Sequence, residues 1–154
     1  MSMFPALDLP KAPLKLVRKD EQVFVWCIIR KKNLVLTPEE WVRQHIIHFL
    51  ITTKNYPQGL ISAEMGIEVN GLSRRCDVVV FGKDGKPRLI IECKAPEITL
   101  TENVFHQIAQ YNFKLNVDFL LMTNGLNHIV CQIDRIQNSI NYLEDIPDWD
   151  VIQR

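Results

Sequence analysis

The chain has 154 residues, of which 47% are hydrophobic and 23% are charged. These proportions are typical of a single globular domain with its own core, and they argue against a disordered or repetitive protein. Lys and Arg together number 18, as do Asp and Glu, so the formal net charge is zero. A small protein that coats nucleic acid through bulk positive charge is therefore excluded.

Neither a membrane span nor a secretory signal is evident in the sequence. The longest apolar run is far shorter than the roughly 18 residues that a membrane helix needs. Residues 1–13 lack the basic start and apolar stretch of a secretory signal, so we expect a cytoplasmic protein with no membrane partner. Buried, reduced thiols are expected at all four cysteines, which lie in apolar runs without a C-x-x-C pair: Cys27, Cys76, Cys93 and Cys131.

Residues 1–36 are predicted to form an N-terminal arm and a β-hairpin that packs on the core. Three prolines favour an extended arm over residues 1–13. Two apolar stretches, Leu14–Val17 and Val23–Ile29, flank a polar segment, which is the pattern of a hairpin. The basic segment 30–32 that follows is interpreted as a solvated loop.

The core is predicted to span residues 37–136 and to begin with a helix. Thr37 can cap this helix, Pro38 suits its first position and Glu40 completes a capping box. The helix is expected to end near Lys54. Three strands then follow in a meander, with turns at 70–71 and 82–86: Leu60–Val69, Arg75–Phe81 and Arg88–Lys94.

A second helix is predicted over Thr99–Leu115, with Thr99 and Glu102 spaced as another capping box. Two strands follow it, Val117–Thr123 and His128–Ile133. Because a helix crosses over between the third and fourth core strands, these two strands should be parallel. The predicted fold class is α/β, with a central mixed sheet of a three-strand meander plus a parallel fourth strand, flanked by helices. Residues 137–154 are expected to be a loosely packed C-terminal tail of the same single domain.

The hairpin made by the second and third core strands carries the residues that indicate chemistry. A turn centred between positions 84 and 85 places Asp77 opposite Glu92. The same register places Phe81 opposite Arg88. Opposite residues share a face, with Cβ atoms about 4.5–5.5 Å apart, and Lys94 should project from the same face as Glu92. Two carboxylates so close repel each other unless one is protonated or a cation lies between them.

Two interpretations of this cluster stay open on spacing alone. Asp77, Glu92 and Lys94, together with Arg75, could form a salt-bridge cluster on the surface. Alternatively, the two carboxylates hold a hard divalent cation, which favours oxygen ligands. Lys94 would then orient or help to activate a water that attacks a phosphodiester.

Several motifs resemble those of a known nuclease superfamily. Asp77 followed by Glu92-Cys93-Lys94 resembles the PD-(D/E)XK signature, with a cysteine at position 76 where the motif name has proline. The predicted order of helix, three strands, helix and strand resembles the core of that superfamily, the restriction-endonuclease fold. Gln107-Ile108-Ala109-Gln110-Tyr111 on the second helix is similar to the Q-x-x-x-Y element of one branch. Its first and last residues lie four apart and share one helical face.

The resemblance narrows when five elements are taken in order. They are similar to the N-terminal nuclease domain of type I restriction enzyme R (translocating) subunits, over about residues 14–134. The elements are 37–44, 75–80, 91–96, 107–112 and 123–125. This resemblance implies a Mg²⁺-dependent DNA endonuclease domain of restriction type, which hydrolyses phosphodiester bonds with a metal-activated water.

The resemblance also implies a set of site residues. Asp77, Glu92 and Lys94 would be the catalytic set. Asp77 and Glu92 would bind Mg²⁺ together with the backbone carbonyl of Cys93, and the same oxygen ligands accept Mn²⁺.

Further site residues are implied on the two helices. Gln107 and Tyr111 would position the catalytic residues or the DNA backbone. Glu40 on the first helix would join the metal site. Its capping role is an equally open alternative, and Glu64 on the first core strand competes for the same place.

The implied partners are DNA and other subunits of a restriction system. A complete R subunit carries a helicase-like motor after the nuclease, and 154 residues do not encode one. We therefore expect a stand-alone relative, a fragment, or a partner of a separate helicase, translocase or specificity subunit, and a homodimer is possible. One alternative is a catalytically silent module of the same fold that binds DNA or such a subunit. It would bind DNA through basic clusters at Arg74 and Arg75 or at Lys83, Lys86 and Arg88. Another alternative is a nuclease that acts on branched junctions or repair intermediates.

Overall fold

A computed structural model describes residues 4–69 and 71–154, so the predicted turn at 70–71 lies partly outside the described residues. Nine strands and three helices follow one another within these ranges. In chain order they are β1 (Leu16–Lys19), β2 (Gln22–Cys27), β3 (Lys32–Val35), α1 (Pro38–Thr52), β4 (Ile61–Val69), β5 (Leu72–Phe81), β6 (Pro87–Cys93), α2 (Glu102–Leu115), β7 (Phe119–Thr123), β8 (His128–Asp134), β9 (Ser139–Leu143) and α3 (Trp149–Ile152). A short 3₁₀ helix, Gln58–Leu60, precedes β4.

The central sheet is mixed, and its six strands lie in the order β4-β5-β6-β7-β8-β9. Strands β6 and β7 are parallel, and every other neighbouring pair is antiparallel. The predicted meander with a parallel fourth strand is therefore confirmed. The helix α2 makes the crossover that this parallel pair requires.

Helices pack on both faces of the central sheet. On one face, Val42, Ile46 and Leu50 of α1 are buried against β5 and β6. On the other face, Phe105 and Ala109 of α2 are buried in a second cluster. Because the inner strands are covered on both sides, they carry continuous apolar runs, and all five residues of β7 are buried.

The start of α1 agrees with the prediction, whereas the start of α2 differs from it. The Thr37 hydroxyl accepts a hydrogen bond from the Glu40 N–H at 3.0 Å. Helix α2 begins at Glu102 and is capped by Thr101, which accepts from the Val104 N–H at 3.3 Å. The predicted capping box at Thr99 is wrong, because residues 99–101 are not helical and only Thr101 directly precedes the first helical residue.

The N-terminal segment forms a three-stranded antiparallel sheet, β1-β2-β3, rather than a two-stranded hairpin. The segment interpreted as a solvated loop turns the chain back, with Lys31 in a left-handed conformation at φ 54°. Cys27 then pairs with Lys32, which is the first residue of β3. A four-residue strand with one partly buried and three exposed residues leaves too weak an alternation to be predicted from sequence.

Residues 137–154 are part of the fold, and their prediction as a loosely packed tail is wrong. Strand β9 extends the central sheet beside β8. Ile146, Trp149 and Ile152 are buried in the same cluster as α1. The Tyr56 hydroxyl donates to the Pro147 carbonyl at 2.8 Å, and its ring lies 5.6 Å from that of Trp149. This segment therefore stabilises the core.

All four cysteines are buried and free, as predicted. Across residues 4–69 and 71–154, none of the helices is both long enough and apolar enough to span a membrane.

Candidate functional site

The candidate site lies where β5 and β6 part. The predicted register is confirmed at Val78–Ile91, the last pair of the ladder, so Asp77 and Glu92 lie one residue further along their strands. At the opposite end a β-bulge shifts the register, and Phe81 pairs with Pro87 instead of the predicted Arg88.

Asp77 joins the two strands through its carboxylate. Its Oδ2 atom accepts a hydrogen bond from the backbone N–H of Cys93 at 2.7 Å. Its Oδ1 atom faces the Arg43 guanidinium at 3.3 Å. The side chain is 18% exposed, so it is oriented by the protein and still accessible to a ligand.

The predicted repulsion between Asp77 and Glu92 is relieved in two ways. Burial and the nearby charge of Asp77 raise the pKa of Glu92 to about 7, against the opposing charges of Arg74 and Lys94. In addition, each carboxylate is paired with its own arginine, Glu92 with Arg74 and Asp77 with Arg43. Partial protonation of Glu92 and the neighbouring arginine cations therefore both reduce the repulsion between the two carboxylates.

Arg43 is the centre of the acidic side of the site. Its side chain is 5% exposed and contacts four carboxylates. The distances are 3.1 Å to Glu39, 2.9 Å to Glu40, 2.7 Å to Glu64 and 3.3 Å to Asp77. Burial alone lowers the pKa of Arg43, but these carboxylates outweigh it and raise the pKa well above the usual value. Arg43 is therefore a fixed positive charge that links α1 to β4 and β5.

Glu40 is turned into the protein rather than back to its own helix start. Its backbone N–H is bound by Thr37, which is one half of the predicted capping box. Its carboxylate accepts from Arg43 and from the Gln44 amide, each at 2.9 Å. Because both oxygens are occupied and the side chain is 7% exposed, Glu40 contacts the site through Arg43.

Glu64 lies beside Asp77 in an unusual backbone conformation. Its φ is 51°, although it lies within β4. The neighbouring pairs Ala63–Val78 and Met65–Cys76 keep the regular register on either side of it. Left-handed φ values cost a non-glycine residue free energy and are common at functional sites. Burial raises the pKa of Glu64, but three neighbouring guanidinium groups outweigh it and hold the pKa below its usual value.

Arg74 connects Glu92 to α2. Its guanidinium donates to Glu92 and to the buried amide oxygen of Asn112, the latter at 3.4 Å. It also lies over the Tyr111 ring, 5.5 Å from the ring centre. Tyr111 therefore reaches the site through Arg74, as a cation–π partner. Gln107, one turn earlier on the same face, is exposed.

Lys94 follows the last residue of β6 and is half-buried. Its backbone N–H donates to the Thr123 carbonyl at 2.8 Å, which extends the pairing with β7. Its charge lowers the pKa of Glu92. Within the described part of the chain, none of the carboxylates forms an ion pair with the Lys94 ammonium.

The donor chemistry of this site suits Mg²⁺. Among residues 4–69 and 71–154, no three His, Cys, Asp or Glu side chains are grouped to hold a metal ion. A site built on Asp77 and Glu92 would therefore take its remaining ligands from the Cys93 carbonyl and from water. Mg²⁺ prefers oxygen ligands and is usually bound through one or two carboxylates while it keeps several waters. The residues present fit this description, with Arg43 and Arg74 already paired to the two carboxylates.

Sequence patterns did not predict the contacts of four residues that shape the site: Arg43, Gln44, Asn112 and Arg74, of which Arg74 was predicted only as part of a basic DNA-binding cluster. Helical spacing offered a signal for Arg43, which lies four residues after Glu39 and three after Glu40. Arg74 had no local signal, because its partners lie on β6 and α2. The same contacts change the interpretation of the predicted basic cluster at 74–75, since the Arg74 side chain is 12% exposed and ion-paired.

Comparison with known proteins shows the family to which the chain belongs. The family model of the type I restriction enzyme R protein N terminus matches residues 38–147. The chain belongs to this family. The matched range contains every predicted site residue on both helices and on strands β4 to β6. This family is named for the N-terminal part of the R protein of type I restriction enzymes.

One solved structure is similar to the chain. It is the fragment structure of a protein described as an HsdR subunit of a type I restriction enzyme from Vibrio vulnificus YJ016. The similarity covers 60% of this chain and 19% of that chain, with 19% identity and a TM-score of 0.42. The chain therefore spans about a fifth of that fragment's length. No curated protein matches the chain.

Proposed function

We propose that the chain is a Mg²⁺-dependent DNA endonuclease domain of restriction type, with a restriction-endonuclease-like core of the PD-(D/E)XK superfamily. One observation carries the proposal. Asp77 and Glu92 each lie one residue beyond the last β5–β6 pair, with Lys94 directly after β6, in a chain of the R protein N-terminal family.

Asp77, Glu92 and the Cys93 carbonyl are the proposed ligands of Mg²⁺, or of Mn²⁺ in its place. When bound, the ion lowers the pKa of a water and stabilises negative charge on phosphorus. The Cys93 N–H holds Oδ2 of Asp77 and thereby fixes the orientation of its carboxylate. Glu92 must lose its proton to act as a ligand, which its raised pKa delays until about neutral pH.

Lys94 is the proposed partner of the attacking water. Its ammonium is half-buried and near Glu92, and it has donors to spare because it forms no ion pair among the described residues. Such a cation can orient a water and stabilise charge that develops on the phosphate oxygens.

The helices supply positioning residues in this proposal. Tyr111 supports Arg74 against Glu92, and the exposed Gln107 faces the approaching DNA backbone. Glu40 acts through Arg43, which it holds against Asp77.

The other proposed partners are subunits of a restriction system. In this proposal, translocation and sequence specificity belong to those other subunits. A helicase or translocase, a specificity subunit and a second copy of the chain are the proposed partners.

Calorimetric titration of Mn²⁺ and Mg²⁺, together with nicking of supercoiled plasmid, tests the function. We expect wild type to bind and to nick, and Asp77→Asn and Glu92→Gln to lose both while they stay folded by circular dichroism. Lys94→Ala should bind metal without nicking. Asp84→Asn is the matched control, because it changes an exposed carboxylate in the turn of the same hairpin. Folded Asp77→Asn protein that nicks as fast as wild type would overturn the proposal.

A catalytically silent module is the second candidate, and the arginine pairing favours it. Arg43 and Arg74 already neutralise both carboxylates, so the cluster is stable without a metal ion. DNA binding that ignores both Mg²⁺ and the Asp77→Asn change would support this candidate. Cleavage of branched junctions but not of plasmid would instead keep the nuclease and change its substrate.

A further inference from the structure

Positive charge is concentrated at the N-terminal end of a chain that is neutral overall. Residues 1–36 contain seven Lys and Arg side chains and three Asp and Glu side chains. The remainder of the chain therefore carries a net negative charge of the same size as the positive charge of this segment. The N-terminal segment is therefore basic although the whole chain is neutral.

One end of the N-terminal sheet places a positively charged residue, Arg30, beside the candidate site. Arg30 lies in the turn between β2 and β3, where the Lys31 N–H donates to the Cys27 carbonyl at 2.8 Å. The Arg30 guanidinium contacts Oε2 of Glu64 at 2.5 Å. The next residues, Lys31 and Lys32, are exposed.

Glu64 divides its two oxygens between the inside and the outside of the site. Oε1 accepts from the buried Arg43, which also contacts Asp77. Oε2 faces Arg30 and also Arg75, whose guanidinium lies 3.7 Å away. Arg75 is 72% exposed, so it is the most solvent-accessible of the three arginines around Glu64.

We infer that Arg30 and Arg75 form a phosphate-binding pair at the mouth of the candidate site, positioned by Glu64, and that their ligand is the backbone of duplex DNA. The inference rests on the proposed function, because it names how the substrate of that site is held.

The charge and geometry around Glu64 support an anionic ligand. One carboxylate shared by three guanidinium groups leaves an excess of positive charge on the solvent side. Guanidinium groups match phosphate oxygens through paired N–H donors, and phosphate contacts fix the register of a protein on DNA. A phosphate held by Arg30 and Arg75 would be separated from Arg43 only by the Glu64 carboxylate. Arg43 in turn contacts Asp77, a proposed ligand of the metal ion.

The left-handed backbone of Glu64 is consistent with this role. A non-glycine residue held at φ 51° costs free energy, and such residues cluster at active sites and ligand-binding positions. In this conformation the Glu64 carboxylate contacts both the partly exposed Arg30 and the buried Arg43.

Fluorescence anisotropy with a short labelled duplex in EDTA tests the inference, because the readout does not depend on metal or cleavage. Arg30→Gln and Arg75→Gln should each weaken binding about five-fold. Each should also lower the slope of log K against log salt by about 0.9, the value for one phosphate contact. Lys19→Gln is the matched control, because it removes one charge from the far end of the same sheet, where Lys19 pairs with Gln22. It should change affinity less than two-fold.

A second pair of variants tests the opposite sign. Glu64→Gln should strengthen duplex binding, because it removes the carboxylate that partly neutralises Arg30 and Arg75. Glu68→Gln, an exposed carboxylate further along β4, should have a smaller effect.

Two outcomes would overturn the phosphate-binding pair. One is equal loss of affinity in Arg30→Gln, Arg75→Gln and Lys19→Gln, which would mean nonspecific charge alone. The other is a wild type that does not bind the duplex. If plasmid nicking persists in either case, the proposed function stands and only the phosphate-binding pair is refuted. If nicking fails while Arg30 and Arg75 bind DNA as expected, the phosphate-binding pair stands and the proposed function is refuted.

Discussion

Replacing Arg43 with Met should destabilise the protein more than any other single change in the site. The pair of Arg43 with Glu40 is buried, with side chains 5% and 7% exposed. Breaking a buried ion pair by removing one partner costs about 3–5 kcal/mol, because the other charge is left uncompensated. Asp77 keeps the Cys93 N–H and Glu64 keeps Arg30, so these two add less.

The remaining partner adds little to this figure. Glu39 is 46% exposed, and exposed ion pairs contribute about 0–1 kcal/mol. We therefore expect Arg43→Met to lower the free energy of unfolding by about 4 kcal/mol at pH 7. For a chain of this size that corresponds to a fall in Tm of roughly 8–16 °C. Urea unfolding followed by circular dichroism measures the difference.

The loss should also depend on pH. Against the effect of burial, Arg43 and two other guanidinium groups hold the pKa of Glu64 below its usual value. A carboxyl group with a lowered folded-state pKa contributes stability that is present above its unfolded pKa of about 4.3 and is lost as the pH falls through the folded value. The gap between wild type and Arg43→Met should therefore narrow as the pH falls below about 4.

Two further variants keep this prediction testable. Arg135→Met is the control, since Arg135 pairs with Asp118 and both side chains are about one-third exposed. It should cost less than about 1 kcal/mol. If Arg43→Met does not fold, Arg43→Lys, which keeps the charge and loses the fork of donors, should cost about half as much. A folded Arg43→Met protein within about 1 kcal/mol of wild type at every pH would refute the central role of Arg43.

Two other predictions follow from burial. Burial and Asp77 raise the pKa of Glu92 to about 7, above its unfolded value, so ionised Glu92 costs stability as the pH rises through the folded pKa. The stability of Glu92→Gln relative to wild type should therefore increase by about 3 kcal/mol between pH 4.5 and pH 7.5 in urea titrations, and no change would contradict the raised pKa. Trp149→Ala should cost about 3–5 kcal/mol in the same assay, because Trp149 is 7% exposed and packs on Tyr56. The matched control Ile136→Ala, at 98% exposure, should cost almost nothing, and equal stability of the two variants would mean that the C-terminal segment does not support the core.

The central sheet was predictable because its information is local. Apolar runs, the turn at 82–86 and a helix between two strands are enough to give the meander and the parallel fourth strand. The same locality explains the errors. Strand β3 has one partly buried residue, and residues 137–154 contribute single buried side chains rather than a repeating pattern. Such segments acquire their structure from what they pack against.

The candidate site was predictable only in part, for the same reason. The register of a hairpin fixes which residues meet across it, so Asp77 and Glu92 could be brought together from sequence. The arginines that pair with them are Arg43 on α1 and Arg74 near the start of β5. No local spacing in the sequence relates these arginines to those carboxylates. Glu64 shows the limit most clearly, because its left-handed backbone has no counterpart in a strand pattern.

The balance of charge in the site has a consequence for the proposed function. Five carboxylates and five cations lie in or beside it: Glu39, Glu40, Glu64, Asp77 and Glu92, with Arg30, Arg43, Arg74, Arg75 and Lys94. The cluster as a whole is neutral, so a divalent cation or a polyanion alone should bind less tightly than either one does in the presence of the other. A site that gains Mg²⁺ becomes positive and favours phosphate, and a bound phosphate in turn favours Mg²⁺. Because such coupling is reciprocal, the metal ion and DNA should each bind more tightly in the presence of the other. The arginine pairs therefore stabilise the free protein, and Mn²⁺ or Mg²⁺ should bind it less tightly without DNA than with DNA.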